Sequence, residues 1–312
     1  MYRYLLLLAL FSLLACKAPG PLAADRDPDE LFGSSDADLI VVDAILIVDA
    51  PLPPVVLRRT VAPGHSYSAV ATALEGASVS IQRGDAMFNY RPDPSRAGHY
   101  LPPADAPVVE PNGLYELRVT TGDGLTVRAQ TQTPARIRID ELRLLADDLE
   151  TELRRLRLFA EVGDAVYQAA ENQLEYDKGV LIAQFQDDGP AVSYQVRLAN
   201  LERSSPLLFD DEWIEDFEDF ELERVETSPL LSLASGELYL PWAGIYYAGR
   251  YKVTLFAVDQ NWFDLVRTDN VDAERGSGEA GQSFQRPLFH VENGIGLFAS
   301  ATVDSFGFSV RP

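Results

Sequence analysis

A chain of 312 residues with 46% hydrophobic content carries more apolar material than one average core holds, which excludes wholesale disorder and makes two domains the default. Its formal net charge of -22 leaves no basic surface for a phosphate backbone, so a nucleic-acid partner is excluded. Lys17, Lys178 and Lys252 are the only lysines among 26 basic residues; such a surface suits either a high-salt habitat or ordinary acidity in a GC-rich genome.

The chain opens with Met1 to Tyr4, including Arg3, followed by an apolar run from Leu5 to Leu14. This is the layout of an export signal over residues 1–15, and the run is too short to span a bilayer, which takes about 20 residues. Leu13-Leu14-Ala15-Cys16 resembles the lipobox of bacterial lipoproteins, in which cleavage precedes the cysteine and the thiol is acylated. Cys16 is the only cysteine, so an exported chain free to build disulfides builds none and keeps its one thiol where a lipid belongs. The competing reading is an ordinary cleaved signal with an incidental cysteine. Each buried methylene of an acyl chain contributes about 0.8 kcal/mol, so the expected partner of this end is the membrane. Residues 16–37 are rich in Pro, Gly, Ala and Asp without apolar period and read as a flexible stalk.

The spacing then predicts a β-sandwich over residues 38–134. Leu39 to Val48 and Val55 to Thr60 are apolar, β-branched runs of strand length, separated by Pro51, Pro53 and Pro54. Ala77, Val79 and Ile81 alternate with Ser78, Ser80 and Gln82. Leu117 and Val119 alternate with Glu116 and Arg118, and Val127 and Ala129 with Arg128 and Gln130, on either side of Gly122-Asp123-Gly124. That pattern predicts a hairpin.

A second β-rich domain is expected over residues 135–312, the whole chain being all-β with one or two short helices. Leu142, Leu145, Leu149, Leu153 and Leu156 recur at helical spacing, which predicts an amphipathic helix over Asp140 to Leu156. Val180 to Phe185 and Val192 to Leu201 read as strands around Asp187-Asp188-Gly189-Pro190. Leu238 to Trp242, Arg250 to Val258, Ile295 to Val303 and Phe306 to Val310 complete the set. Asn293-Gly294 and Gly296 suit positive φ and a close approach of backbones, with Ile295, Leu297 and Phe298 buried; Tyr100 and Tyr115 read as core aromatics.

Several pieces together resemble one family. Ala77-Ser78-Val79-Ser80-Ile81, Gly98-His99-Tyr100, Leu114 to Val119 before Gly124, and Thr133-Pro134 are similar to the first domain of DUF4249-like outer-membrane lipoproteins of the Bacteroidota. Ser193 to Leu198 after Asp188-Gly189-Pro190 is similar to that family's central strand, and Pro287-Leu288-Phe289 with Asn293 to Phe298 to its C-terminal signature. The chain departs at Val192-Ser193-Tyr194, where the family usually has Asn-Tyr-Tyr, and in a longer, more charged Asp140 to Tyr176. The resemblance implies an immunoglobulin-like or transthyretin-like first sandwich, lipid anchorage in the outer membrane and association with a TonB-dependent transport barrel. It assigns no catalytic residues.

The stretch Phe209 to Glu226 interleaves Asp210, Asp211 and Glu212 and further carboxylates with Phe209, Trp213, Phe217 and Phe220. In a helix the rings would share one face and the carboxylates the other. Three readings are open: a capping helix with a solvated acidic face; a calcium site at Asp210, Asp211 and Glu212, without the Asp-x-Asp-x-Asp-Gly loop; or a contact surface for a partner barrel through Trp213, Phe217 and Phe220. No other cofactor is expected. His65, His99 and His290 lack metal-ligand spacing, and Gly64-His65-Ser66-Tyr67-Ser68 lacks the final glycine of a nucleophile elbow. The expectation is a non-enzymatic binding or accessory component; the competing classes are a secreted carboxylate-dependent hydrolase and a structural surface protein or adhesin.

Overall fold

The computed structural model describes residues 38–62, 65–189, 191–208, 223–233, 235–269 and 287–312. The first stretch supplies β1 (Ile40–Ile47), β2 (Val55–Arg59), β3 (Ser78–Arg83), β4 (Ala86–Asn89), β5 (Arg91–Pro92), β6 (His99–Leu101), β7 (Leu114–Thr120) and β8 (Thr126–Gln132). The hairpin forms in the expected register, Thr120 opposite Thr126 and Leu117 opposite Ala129. Alternation puts Tyr115, Leu117 and Val119 inward and Glu116 and Arg118 outward.

The second stretch supplies β9 (Ile137–Leu145), β10 (Glu152–Arg155), helix α1 (Phe159–Val162), 3-10 turns at Gly163–Tyr167 and Ala170–Asn172, and β11 (Gln173–Glu175). There follow β12 (Val180–Asp187), β13 (Ser193–Asn200), β14 (Val225–Thr227), β15 (Glu237–Leu240), β16 (Gly249–Val258), helix α2 (Gln260–Asp269), β17 (Val291–Glu292) and β18 (Ile295–Arg311). The fold is β-rich, as expected.

The helix expected over Asp140 to Leu156 is not one; that stretch is the β9–β10 hairpin. In the pairing of β9 with β12, Gln184 faces Glu141 and the next residue, Phe185, faces Ile139, so Asp140 is an extra residue. The bulge flips the phase of burial from Ile137 and Ile139 to Leu142 and Leu144, which imitates the three-residue step of a helix. Leu149 turns the hairpin at φ 60, and Leu153 stands 52% exposed.

Two sandwiches result, and one strand runs through both. One sheet has the order β14-β13-β16-β18-β1-β2-β6-β5, with β11 beside β18. The sheet β17-β8-β7-β3-β4 covers its β1-β2-β6 end and β10-β9-β12-β15 its β13-β16 end. β18 pairs in parallel with β1 from Ile295 to Ala301, then antiparallel with β16 from Ala301 to Val310. The two strands expected at the C-terminus are therefore one, and residues 291–301, beyond the 134/135 division of the sequence, belong in space to the first sandwich. Phe298 packs in its core with Ile40, Leu57, Tyr100 and Leu117. Phe306 and Phe308 of the same strand pack in the second core with Leu142, Phe185 and Val253.

The Asn293-to-Phe298 signature makes this crossing possible. Asn293 (φ 57) and Gly296 (φ 107) take left-handed backbone, and a Cβ on Gly296 would lie 2.1 Å from the Val42 carbonyl oxygen. Phe298 is buried, whereas Ile295 and Leu297 are only half-buried, because this end of β18 lies near the rim. Tyr100 and Tyr115 are core rings with satisfied hydroxyls: Tyr100 donates to the Leu74 carbonyl at 2.9 Å and Tyr115 accepts from Glu110 N at 2.8 Å.

Candidate functional site

Where the sandwiches meet, side chains supply what the strands leave open. β17 covers β8 only at Arg128 and Ala129, and beyond it Asn261 of α2 donates to the Gln130 carbonyl at 2.6 Å and to Phe298 O at 2.7 Å. Asp259, 5% exposed, caps α2 by accepting from Trp262 N at 2.9 Å and also accepts from the Thr131 hydroxyl, which meets Ser300 Oγ at 2.7 Å. Burial pushes the Asp259 carboxyl above the ordinary range, against the opposing pull of these donors.

The segment after α2 is tied back onto the helix. His290 Nε2 lies 2.9 Å from Asp264 Oδ2, and Leu288 N donates to Thr268 Oγ1 at 3.0 Å. Burial alone would raise Asp264; bonds from Gln260, His290 and Arg267 outweigh it and hold the carboxyl below its usual value.

This segment forms one wall of a groove of about 580 Å³ on the outer face of the first sandwich. Phe289, His290 and Asn261 stand at the wall, and the floor is the outward side of β3, β7 and β8. One row across the floor is Gln130, Glu116, Gln82; the next is Arg128, Arg118, Ser80. Gln130 Nε2 donates to Glu116 Oε1 at 3.0 Å. The groove is open and polar, lined by hydrogen-bonding groups.

Cys16, the proposed calcium ligands Asp210, Asp211 and Glu212, and the proposed contact residues Trp213, Phe217 and Phe220 lie outside the described residues. The end of the acidic stretch that is described, Val225–Thr227, is a strand paired with β13. The structure does not bring the histidines together: His65 is in an exposed loop, His99 in β6 and His290 at the groove. Among the described residues there is no cluster of three metal-ligating side chains, and no helix long and apolar enough to cross a membrane. Sequence reading missed the groove. Its floor was nonetheless legible, since the Gly-Asp-Gly turn and the alternation together place Arg118 opposite Arg128.

Fold and site thus define a double β-sandwich protein with an open polar groove on one sheet face. Residues 27–306 match the family described as "Domain of unknown function (DUF4249)", and the chain belongs to it. Among curated proteins nothing matches. Solved structures show distant likeness. A 1.5-MDa bacterial ice-binding adhesin is 10% identical with TM-score 0.22, over 88% of this chain and 65% of that one. Trypsin-activated alpha-2-macroglobulin from Escherichia coli is 11% identical with TM-score 0.22, over 72% of this chain and 14% of that one. The chicken CNTN1 FN1-FN3 domains are 8% identical with TM-score 0.18, over 88% and 65%. The chain thus spans less than two thirds of the length of each.

Proposed function

We propose that this protein is a lipid-anchored, non-enzymatic binding or accessory component of the outer membrane, working beside a TonB-dependent transport barrel. The observation that supports a binding role is the open groove, floored by Gln, Glu and Arg side chains on a rigid sheet. The carboxylate raised by burial, Asp259, faces the joint between the sandwiches, where it caps α2 and holds Thr131; it serves architecture. The anchor rests on Leu13-Leu14-Ala15-Cys16, and the barrel partner on the family resemblance.

The test is affinity purification of the tagged full-length protein from detergent-solubilised membranes, followed by mass spectrometry. A β-barrel receptor recovered in stoichiometric amount is the expected result. Recovery of the protein alone, in mild detergent and at native salt, would overturn the accessory role.

A further inference from the structure

We propose that Arg118 and Arg128 form a binding site for a small oxyanion, a carboxylate or phosphate carried on a ligand that also has hydrogen-bond donors. The proposal rests on the binding role of the groove, and it adds the chemistry of the ligand. The two arginines occupy directly opposed positions of β7 and β8, on the outward face. Opposed residues of an antiparallel pair have Cβ atoms about 5 Å apart, and like charges there oppose pairing of the strands. Yet the chain has 48 acidic residues to 26 basic ones.

Several of the other arginines are neutralised by acids. Arg136 makes a two-pronged pair with Asp49, Arg83 another with Glu110, Arg250 is held by Glu202 and Arg138 by Asp140. Among the described residues neither the Arg118 nor the Arg128 side chain has an ion pair or hydrogen bond, although Glu292 stands opposite Arg128 on β17. Glu116, the nearest carboxylate on their own strands, is engaged by Gln130. The groove therefore carries two arginines at opposed strand positions with no protein partner for their guanidinium groups, and two such groups can share one oxyanion.

The rest of the floor sets the other end of the ligand. Glu116, Gln82 and Gln130 form the adjacent row, two residues along the strands and so about 7 Å from the arginines. A carboxylate and two amides accept from hydroxyl, amide or amine groups. A ligand that is anionic throughout meets Glu116 and Glu292 and is disfavoured, whereas one with an acid at one end and donors at the other satisfies both rows.

The test is calorimetric titration of the detergent-solubilised full-length protein with succinamate, which has a carboxylate at one end and an amide at the other, with inorganic phosphate and with the neutral diamide succinamide. At least one anion is expected to bind at millimolar or better affinity, and succinamide not at all. Binding of succinamate alone assigns the source as a carboxylate, and of phosphate alone as a phosphate ester or phosphate itself. The double variant R118Q/R128Q should lose tenfold or more in affinity, while R138Q, an arginine away from the groove, keeps it. Melting without ligand supplies the control: the double variant should melt at the same temperature or higher, because two opposed like charges have been removed. A fall in melting temperature, equal affinity in the double variant, or no anion bound at tens of millimolar would each overturn the site. Co-purification of a barrel with the double variant separates the two failures, since it preserves the accessory role when the anion site is lost.

Discussion

At the residue scale, the joint between the sandwiches rests on a few polar atoms with opposite pH behaviour. Asp259 has a raised folded pKa, so the folded state takes up its proton more readily than the unfolded chain, and this group adds stability as pH falls from neutrality toward 3.8. Asp264 is lowered; its contribution is present above 3.8 and is lost as pH falls through its folded value. Asp259→Asn keeps an acceptor for Trp262 N and removes the buried charge, so urea unfolding near neutrality should place it within about 1 kcal/mol of wild type or above it. That difference should shift toward wild type as pH falls through the raised folded value of Asp259 toward 3.8. Asp259→Ala leaves the Thr131 hydroxyl and Trp262 N without this partner and should cost about 1–3 kcal/mol. Gly296→Ala forces a Cβ onto Val42 O at φ 107 and should cost about 3 kcal/mol or more, against about 1 kcal/mol for Gly124→Ala, whose Cβ meets nothing within 4 Å. At the other end, Cys16→Ala should move the protein from the membrane fraction to the soluble one; retention in the membrane would overturn the lipid anchor.

At the scale of the element, β9 shows why a leucine stripe can mislead. Leu142 and Leu153 lie on one face of the helix that the spacing suggests, so truncating either would cost alike there. In the hairpin they differ, Leu142 being 0% exposed and Leu153 52%. Leu142→Ala should lower unfolding free energy by about 2–5 kcal/mol and Leu153→Ala by about 0.5 kcal/mol or less. Equal losses in urea denaturation would favour the helix. The sequence contains both alternating halves of β9, Ile137 with Ile139 and Leu142 with Leu144, but nothing local marks Asp140 as the extra residue. A bulge is defined by the partner strand, and β12 lies beyond α1 and β11. The β7–β8 hairpin was legible because its partner is adjacent and its turn sets the register.

For the whole molecule, β18 makes the two sandwiches one structure. Its first half pairs with β1 and fills the first core with Phe298; its second half pairs with β16 and β11 in the same sheet and fills the second core with Phe306 and Phe308. The Arg136–Asp49 pair, with oxygens at 2.7 Å from Nε and Nη2, adds a tie across the joint. The full chain should therefore unfold in a single transition, with equal calorimetric and van't Hoff enthalpies. Residues 38–134 expressed alone should give neither a dispersed amide spectrum nor cooperative melting, because β1 lacks its parallel partner. Independent folding of that fragment would show that β18 is an accessory to the first sandwich.

Taken by itself, the sequence determined the β-rich class, the positions of most strands and the inward or outward sense of the hairpin residues. Each of these is written locally: a side-chain period of two records which face meets the core, and Gly, Pro and Asp mark where a strand must end. It also carried the family signature and the special backbone at Asn293 and Gly296. Only the tertiary structure decided which strands pair, where β9 shifts phase, and that one C-terminal strand serves both sandwiches. Pairing of Val41 with Ile295 depends on contacts between opposite ends of the chain, and no local window contains both partners. The groove was decided at the same level, because its floor comes from a legible hairpin while its wall is delivered by the returning segment at Phe289 and His290.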